Sequence, residues 1–400
     1  MSAIKEISFS RFDDQRWVVS TPNQNHVLIN PSSKRLLEIL RDAIDEHNAL
    51  SQFNEEFNQS LNQEEFGNFI QEKFTNQDIL LSDTQPFRKN TYLSLKLKLF
   101  NPRIAGLMAF PLSWMFSPSL FWILFVSAMT FLVWLSYSFF TFTEIAIDVD
   151  DIFTYTGLLY LTMLIHELGH IAACRKFGID HGEIGFGFYL AFPVLYADVT
   201  NIWKLDRHKR IITNLGGIYL ELLYSLAIGG LFMMTDNVIY LLVSISIFIK
   251  CLLELNPFIR YDGYWILSDM TNVPNLLPKS KATIKHFLKN KSFKQLGRKG
   301  QLILMYGVAN WVVVLGYITW ILLKIGFSIL YFPEKIFQAV TQLIVSMDLT
   351  LLSKLITLES LLILGFYMLI LKMGITITRR IYKAIIPESD FKWVRSGEAN

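Results

Sequence analysis

Six apolar runs, roughly 118–141, 152–174, 211–233, 237–255, 302–325 and 356–378, constrain this chain more than any other feature. A helix rising 1.5 Å per residue needs about 20 residues to cross about 30 Å of hydrocarbon, so each run can span a bilayer. In a chain of 400 residues, 52% of them hydrophobic, the pattern argues against a water-soluble α/β enzyme and predicts a multi-pass membrane protein with a soluble appendage. The expected fold class is mostly α. It combines a polytopic membrane protein of about six transmembrane helices, a re-entrant β-hairpin and a small N-terminal α+β winged-helix-like domain. The expected divisions are a cytoplasmic module over 1–85, an interfacial linker over 86–117, a transmembrane domain over 118–378 and a cytoplasmic tail over 379–400.

The net charge of +3 is too small to argue for nucleic acid, and no nucleic-acid partner is expected. The placement of the charges carries more. The linkers 175–210 and 275–300 and the segment "RRIYK" are basic, whereas "TEIAIDVDD" and "TDN" carry no Lys or Arg, so alternation places both termini in the cytoplasm. Segment 333–355 then lies outside, partly as an interfacial helix, and the Lys-rich run 279–299 lies against anionic lipid headgroups. "MSAIKEISFSRFDD" lacks the apolar core of a signal peptide, in line with a cytoplasmic first segment. Cys174 and Cys251 sit in apolar runs without CxxC partners, so no disulfide framework is implied. No internal repeat is legible, which argues against a transporter.

In the first segment, "RWVVS" and "HVLIN" read as short strands joined by the turn-rich "TPNQN". Asn30 followed by Pro31 starts a helix whose Leu36, Leu37, Leu40 and Ile44 recur at helical spacing. A second helix is expected from Asn62, with Glu65 three residues on and Phe66, Ile70 and Phe74 along one face. In "YLSLKLKLFNP" apolar and polar residues alternate, which fits a half-buried strand, an interfacial segment or a plain linker. "HGEIGFGFYLAFPVLYADVT" combines Gly182, Gly185 and Gly187 with near-alternating aromatic residues, a hairpin pattern with a cytoplasmic loop as the alternative.

The chemistry concentrates in "LTMLIHELGHIAACRK", residues 161–176. His166 and His170 are four apart, so on a helix both imidazoles share a face and can reach one Zn2+ ion, with Glu167 beside them over the metal-bound water. An ionisable side chain at membrane depth costs several kcal/mol unless it is paired, metal-bound or hydrated, and three within five residues are poorly explained by packing. Catalytic zinc generally takes a third protein ligand. In "ELNPFIRYDGYWILSDM", Asp262 beside Gly263 is the leading candidate, with Glu254 and Asp269 as rival carboxylates; Asn256 and Pro257 interrupt the helix just before it.

HELGH in a membrane helix, followed after two more apolar runs by NPFIRYDG, resembles the site-2 protease (M50) family of intramembrane zinc metalloproteases over about residues 150–270. The resemblance implies Zn2+ bound by His166, His170 and Asp262, with Glu167 as general base and Asn256 facing the active site. Two departures stand out. Tyr261 precedes Asp262 where the family often has Leu, and "NLGGIYLEL" stands where many members have Gly-Pro followed by Asn. The N-terminal module, through "HVLINPSSKRLLEIL", resembles PqqD-like domains that hold leader peptides, with a plain winged helix or a structural cap as alternatives.

The resemblance implies a zinc metalloendopeptidase that hydrolyses a membrane-embedded or membrane-delivered peptide, in peptide maturation or regulated proteolysis, within a bacterial cytoplasmic membrane. Its partners would be a peptide or transmembrane protein substrate and membrane lipids. The competing expectation is a non-cleaving zinc- and peptide-binding accessory or immunity protein. Glu167, which metal binding does not require, weighs against that alternative.

Overall fold

The structure is a computed structural model and describes residues 4–75, 77–81, 93–139, 149–189, 192–290, 292–326, 328–346 and scattered positions between 363 and 378. It is mostly helical, with two small sheets. The chain divides into two compact units. The first comprises residues 1–91, 95–187 and 194–278, and the second 92–94, 188–193 and 279–400.

The first unit begins with three antiparallel strands in order, β1 (Ser8–Arg11), β2 (Trp17–Ser20) and β3 (His26–Ile29), followed by α1 (Pro31–Asp42), α2 (Glu46–Phe57) and α3 (Gln63–Phe74). The anticipated starts of α1 and α3 hold. Asn30 accepts from the Ser33 amide with Pro31 in the first turn, and Asn62 and Glu65 form a reciprocal capping box. β1 and α2 are additional elements. Val19, Leu36, Leu37, Phe53, Phe66 and Phe74 close a core between sheet and helices.

This module is tied to the rest of its unit by a polar lock. Arg16 donates to Asp13 and to both the backbone and side-chain oxygens of Asn272, while the Asn272 amide donates back to Asp13 at 2.8 Å. Phe12 stacks on Trp203 at 5.8 Å, and the buried Arg210 guanidinium lies 4.1 Å over the Phe12 ring. Burial opposes ionisation of Asp13, but Arg16, the Gln15 amide and Asn272 outweigh it and lower its pKa to about 2 from the ordinary 3.8. A carboxyl depressed in the folded state stabilises above its unfolded pKa and loses that contribution as pH falls through the folded value. Asp13→Asn is therefore expected to lower the melting temperature at neutral pH, with the gap from wild type closing between about pH 4 and 2. A pH series of thermal-shift curves checks this, and a gap unchanged down to pH 2 would contradict it.

Beyond the module run β4 (Leu93–Phe100), α4 (Pro102–Ala109), α5 (Pro118–Phe139), α6 (Val149–Lys176), β5 (Ile184–Tyr189), β6 (Phe192–Ala197), α7 (Arg207–Thr235), α8 (Val238–Glu254) and α9 (Asp262–Met270). β4, β5 and β6 form the second sheet in that order, so the alternating "LSLKLKLF" is a strand and the glycine-rich segment a hairpin. Gly185 lets the Tyr196 ring pack over β5, since a Cβ there would lie 2.5 Å from that ring in its present position.

Four helical stretches among the described residues are long and apolar enough to cross a membrane: Pro118–Tyr137, Asp150–Lys176, Arg207–Thr235 and Lys294–Lys324. Trp122, Val126, Trp134 and Leu323 are exposed on them, as lipid-facing residues would be. The chain is a membrane protein with at least these four candidate spans. The fourth apolar run forms α8, whose 17 residues reach only about 26 Å. It ends where Asn256–Pro257 removes a backbone donor. The last run, 356–378, and the expected tail, 379–400, lie largely or wholly outside the described residues, as does most of "TEIAIDVDD".

The second unit holds most of α10 (Leu276–Asn290), α11 (Gly297–Ile325) and α12 (Ser328–Ser346). Gly307 lets α11 approach α10, since a Cβ there would meet Ile284 at 2.8 Å. Segment 333–355 is helical as far as Ser346, and the remainder falls outside the described residues.

Candidate metal centre

The site is set by how closely α6 and α7 cross. Glycines at 169, 216 and 217 permit the contact: a Cβ on Gly169 would sit 2.1 Å from the Gly216 carbonyl oxygen, and one on Gly217 would sit 2.5 Å from His166 Nε2. Gly216 and Gly217 of α7 belong to "NLGGIYLEL", one of the two departures from the family pattern. That segment supplies bare backbone where the histidine helix needs it.

His166 and His170 project from one face of α6, and their Nε2 atoms face each other at 3.2 Å. Asp262, at the start of α9, brings Oδ2 to 3.2 Å from His166 Nε2 and 3.4 Å from His170 Nε2. Gly263 seats that end of α9 against α8, where a Cβ would strike the Leu255 carbonyl oxygen at 2.1 Å. All three side chains are buried or half-buried, and Asp262 Oδ2 has no hydrogen-bond partner among the described residues. Four tetrahedral donors about 2.0–2.1 Å from one zinc ion would stand about 3.3–3.4 Å from one another, so the spacing suits such an ion.

The tautomers also suit it. His170 Nδ1 lies 2.8 Å from the Thr213 backbone carbonyl, which can only accept, so Nδ1 carries a proton and the neutral ring offers Nε2 as a lone pair. His166 Nδ1 lies 3.2 Å from Glu221 Oε2 and 3.4 Å from Glu254 Oε2, close to both carboxylates but aligned with neither as a hydrogen bond. Three potential donors thus converge in a buried place into which the His170 lone pair and the Asp262 carboxylate are aimed, a configuration that a cation relieves.

Glu167 is buried beside the group, with His166, His170 and Asp262 as its electrostatic neighbours and the Ala197 backbone, at the end of β6, nearby. Asn256 is not one of the converging groups: its Oδ1 accepts from the Phe258 amide at 2.9 Å, stapling the turn between α8 and α9. The rival carboxylates take other partners. Asp269 is bound by Arg210 at 2.7 Å and by Asn214 at 2.9 Å, and Glu254 reaches the far side of His166 rather than its Nε2.

Glu221 and Lys250 are given no role by the sequence reading, yet they stand directly behind His166. A signal was available, because both are ionisable residues inside apolar runs. Their spacing, however, matches no metal-ligand motif, because Glu221 contacts His166, and Lys250 contacts Glu221, rather than the metal position.

Comparison with known proteins supports a relationship to zinc metalloproteases. The chain is 31% identical over 110 residues, 27% of its length, to a Bacillus subtilis (strain 168) protein named "Putative peptide zinc metalloprotease protein YydH". It spans less than half, 43%, of that relative. No family model matches the chain, and no solved structure does.

Proposed function

We propose that this chain is an intramembrane zinc metalloendopeptidase of the site-2 protease type. The observation that carries the reading is the convergence of His166 Nε2, His170 Nε2 and Asp262 Oδ2 at 3.2–3.4 Å, with Glu167 alongside. The relative's printed name points the same way. His166, His170 and Asp262 would hold the metal, and a zinc ion there would lend Lewis acidity to the scissile carbonyl and to the attacking water.

Glu167 then does the proton work. Its carboxylate takes a proton from the attacking water and returns it to the departing peptide nitrogen. Ala197, at the end of β6, lies near Glu167, which links β6 to the reacting centre. β6 ends the order of its sheet, and a substrate in extended form adds to it through backbone hydrogen bonds. Asn256 shapes the turn that delivers Asp262 and orients the peptide from there. A helical substrate must unwind before its carbonyls are accessible, which favours helix-breaking residues near the cut.

His170 lies five residues before Arg175, about 7 Å along the helix, so cleavage occurs toward the cytoplasmic side of a bacterial membrane, with both termini in the cytoplasm. The N-terminal module holds the peptide before delivery, in the manner of PqqD-like domains. The substrate is a short membrane-delivered peptide or a transmembrane segment. Metal analysis of the purified chain tests this: about one zinc per chain is expected in wild type and far less in His170→Ala. A wild type produced in zinc-replete medium that purifies without metal would contradict it.

A further inference from the structure

Two glutamates and a lysine lie on the side of His166 facing away from Asp262. Their pairing is reciprocal. Glu221 directs Oε1 to Lys250 Nζ at 2.5 Å and Oε2 to His166 Nδ1 at 3.2 Å; Glu254 directs Oε1 to the same Nζ at 2.5 Å and Oε2 to the same Nδ1 at 3.4 Å. Thr162 Oγ1 donates to Glu221 Oε1 at 3.3 Å, and Cys251 Sγ approaches Oε2 at 3.5 Å. Glu221 is wholly buried in α7, inside a candidate span, where an unpartnered charge costs far more than at a surface.

We infer that Glu221, clamped by Lys250 and seconded by Glu254, is the positioning residue that fixes the tautomer and ring orientation of His166. This rests on the metal reading above. A carboxylate beside Nδ1 keeps the proton on that nitrogen and leaves Nε2 as a lone pair facing His170 and Asp262. The backbone carbonyl of Thr213 does the same for His170, so the two rings are held by different devices, one main-chain and one ionic. Glu221 Oε2 stands 3.2 Å from that nitrogen, and its other oxygen is already anchored on Lys250.

The same three groups, His166, Glu221 and Glu254, also have the composition of a cation site. Lys250 argues against that use. Its ammonium already bridges both carboxylates, and a second cation would have to displace it. Two carboxylates sharing one ammonium instead leave negative charge facing the imidazole, which suits a ring that carries a cation on its other nitrogen.

The test is metal binding by the full-length chain in detergent, read by zinc competition against a chromophoric chelator and by the visible spectrum of the Co2+-loaded protein. Wild type is expected to bind one ion per chain with a tetrahedral Co2+ spectrum. Glu221→Ala should bind zinc about 10–100-fold more weakly with an altered spectrum. Glu221→Gln, whose amide oxygen still accepts from Nδ1–H, should recover most of the affinity and the spectrum, and it remains informative if the alanine variant fails to fold. Unchanged affinity and spectrum in both Glu221 variants, with binding lost in His166→Ala, would overturn the positioning role while leaving the metal reading intact. Two ions per wild-type chain would overturn it in favour of a second metal site. A wild type that binds none would overturn both.

Discussion

Glu167→Gln should retain its zinc and lose peptide hydrolysis by about 10²–10⁴-fold, the span associated with a positioned proton-transfer group. The two halves of that expectation come from different atoms. Metal binding depends on the three converging donors, none of which belongs to Glu167. Proton transfer depends on a carboxylate beside them, and an amide of the same shape fills the same place but cannot accept and return a proton. Conservation of shape makes the variant diagnostic. A loss of zinc would turn Glu167 into part of the metal cradle, and retained turnover would remove it from the chemistry.

Gly217→Ala is expected to weaken zinc binding by about 100-fold. The added methyl would stand 2.5 Å from His166 Nε2, 2.6 Å from Cε1 and 2.7 Å from Cδ2, against the ring that must face Asp262. Neither partner can readily give way. The ring is backed by Glu221 and Glu254, and α7 is held against α6 through Gly216, where a Cβ would meet the Gly169 carbonyl oxygen at 2.7 Å. Gly157→Ala is the matched control on α6, because a Cβ there meets nothing within 4 Å. Chelator competition on the two purified variants measures the difference, and equal affinities would show that the helix crossing is looser than its glycines imply.

The parts of this architecture that were legible in the sequence are those governed by short-range rules. Asn30–Pro31 and Asn62–Glu65 marked helix starts because capping involves only the next three residues. The 161–176 stretch announced itself because ionisable groups at membrane depth need a reason. β1 and α2 were missed: "SFSR" is too short to show a period, and α2 buries only Ala49 and Phe53, leaving a weak apolar stripe.

Apolar length suggests six spans; among the described residues four helices are long and apolar enough to cross, α8 stops after 17 residues at a proline-bearing turn, and the last run lies largely outside the described residues. The Asp13–Arg16–Asn272 lock joins residues about 260 apart, and no periodicity carries such a pairing. The role of Glu221 was hidden for a related reason. What matters is the face of α7 turned toward His166, which depends on the close helix crossing at Gly169, Gly216 and Gly217.

The central claim is that the chain cuts peptides, and its most direct measurement is a mass-spectrometric comparison of peptide termini in membranes carrying wild type or Glu167→Gln, with zinc confirmed in both purified proteins. New termini confined to wild type, mapping to transmembrane segments or short membrane-delivered peptides, are the predicted result. Zinc bound in both with no terminus differing would contradict proteolysis, leaving a metal- and peptide-binding protein built on the same site.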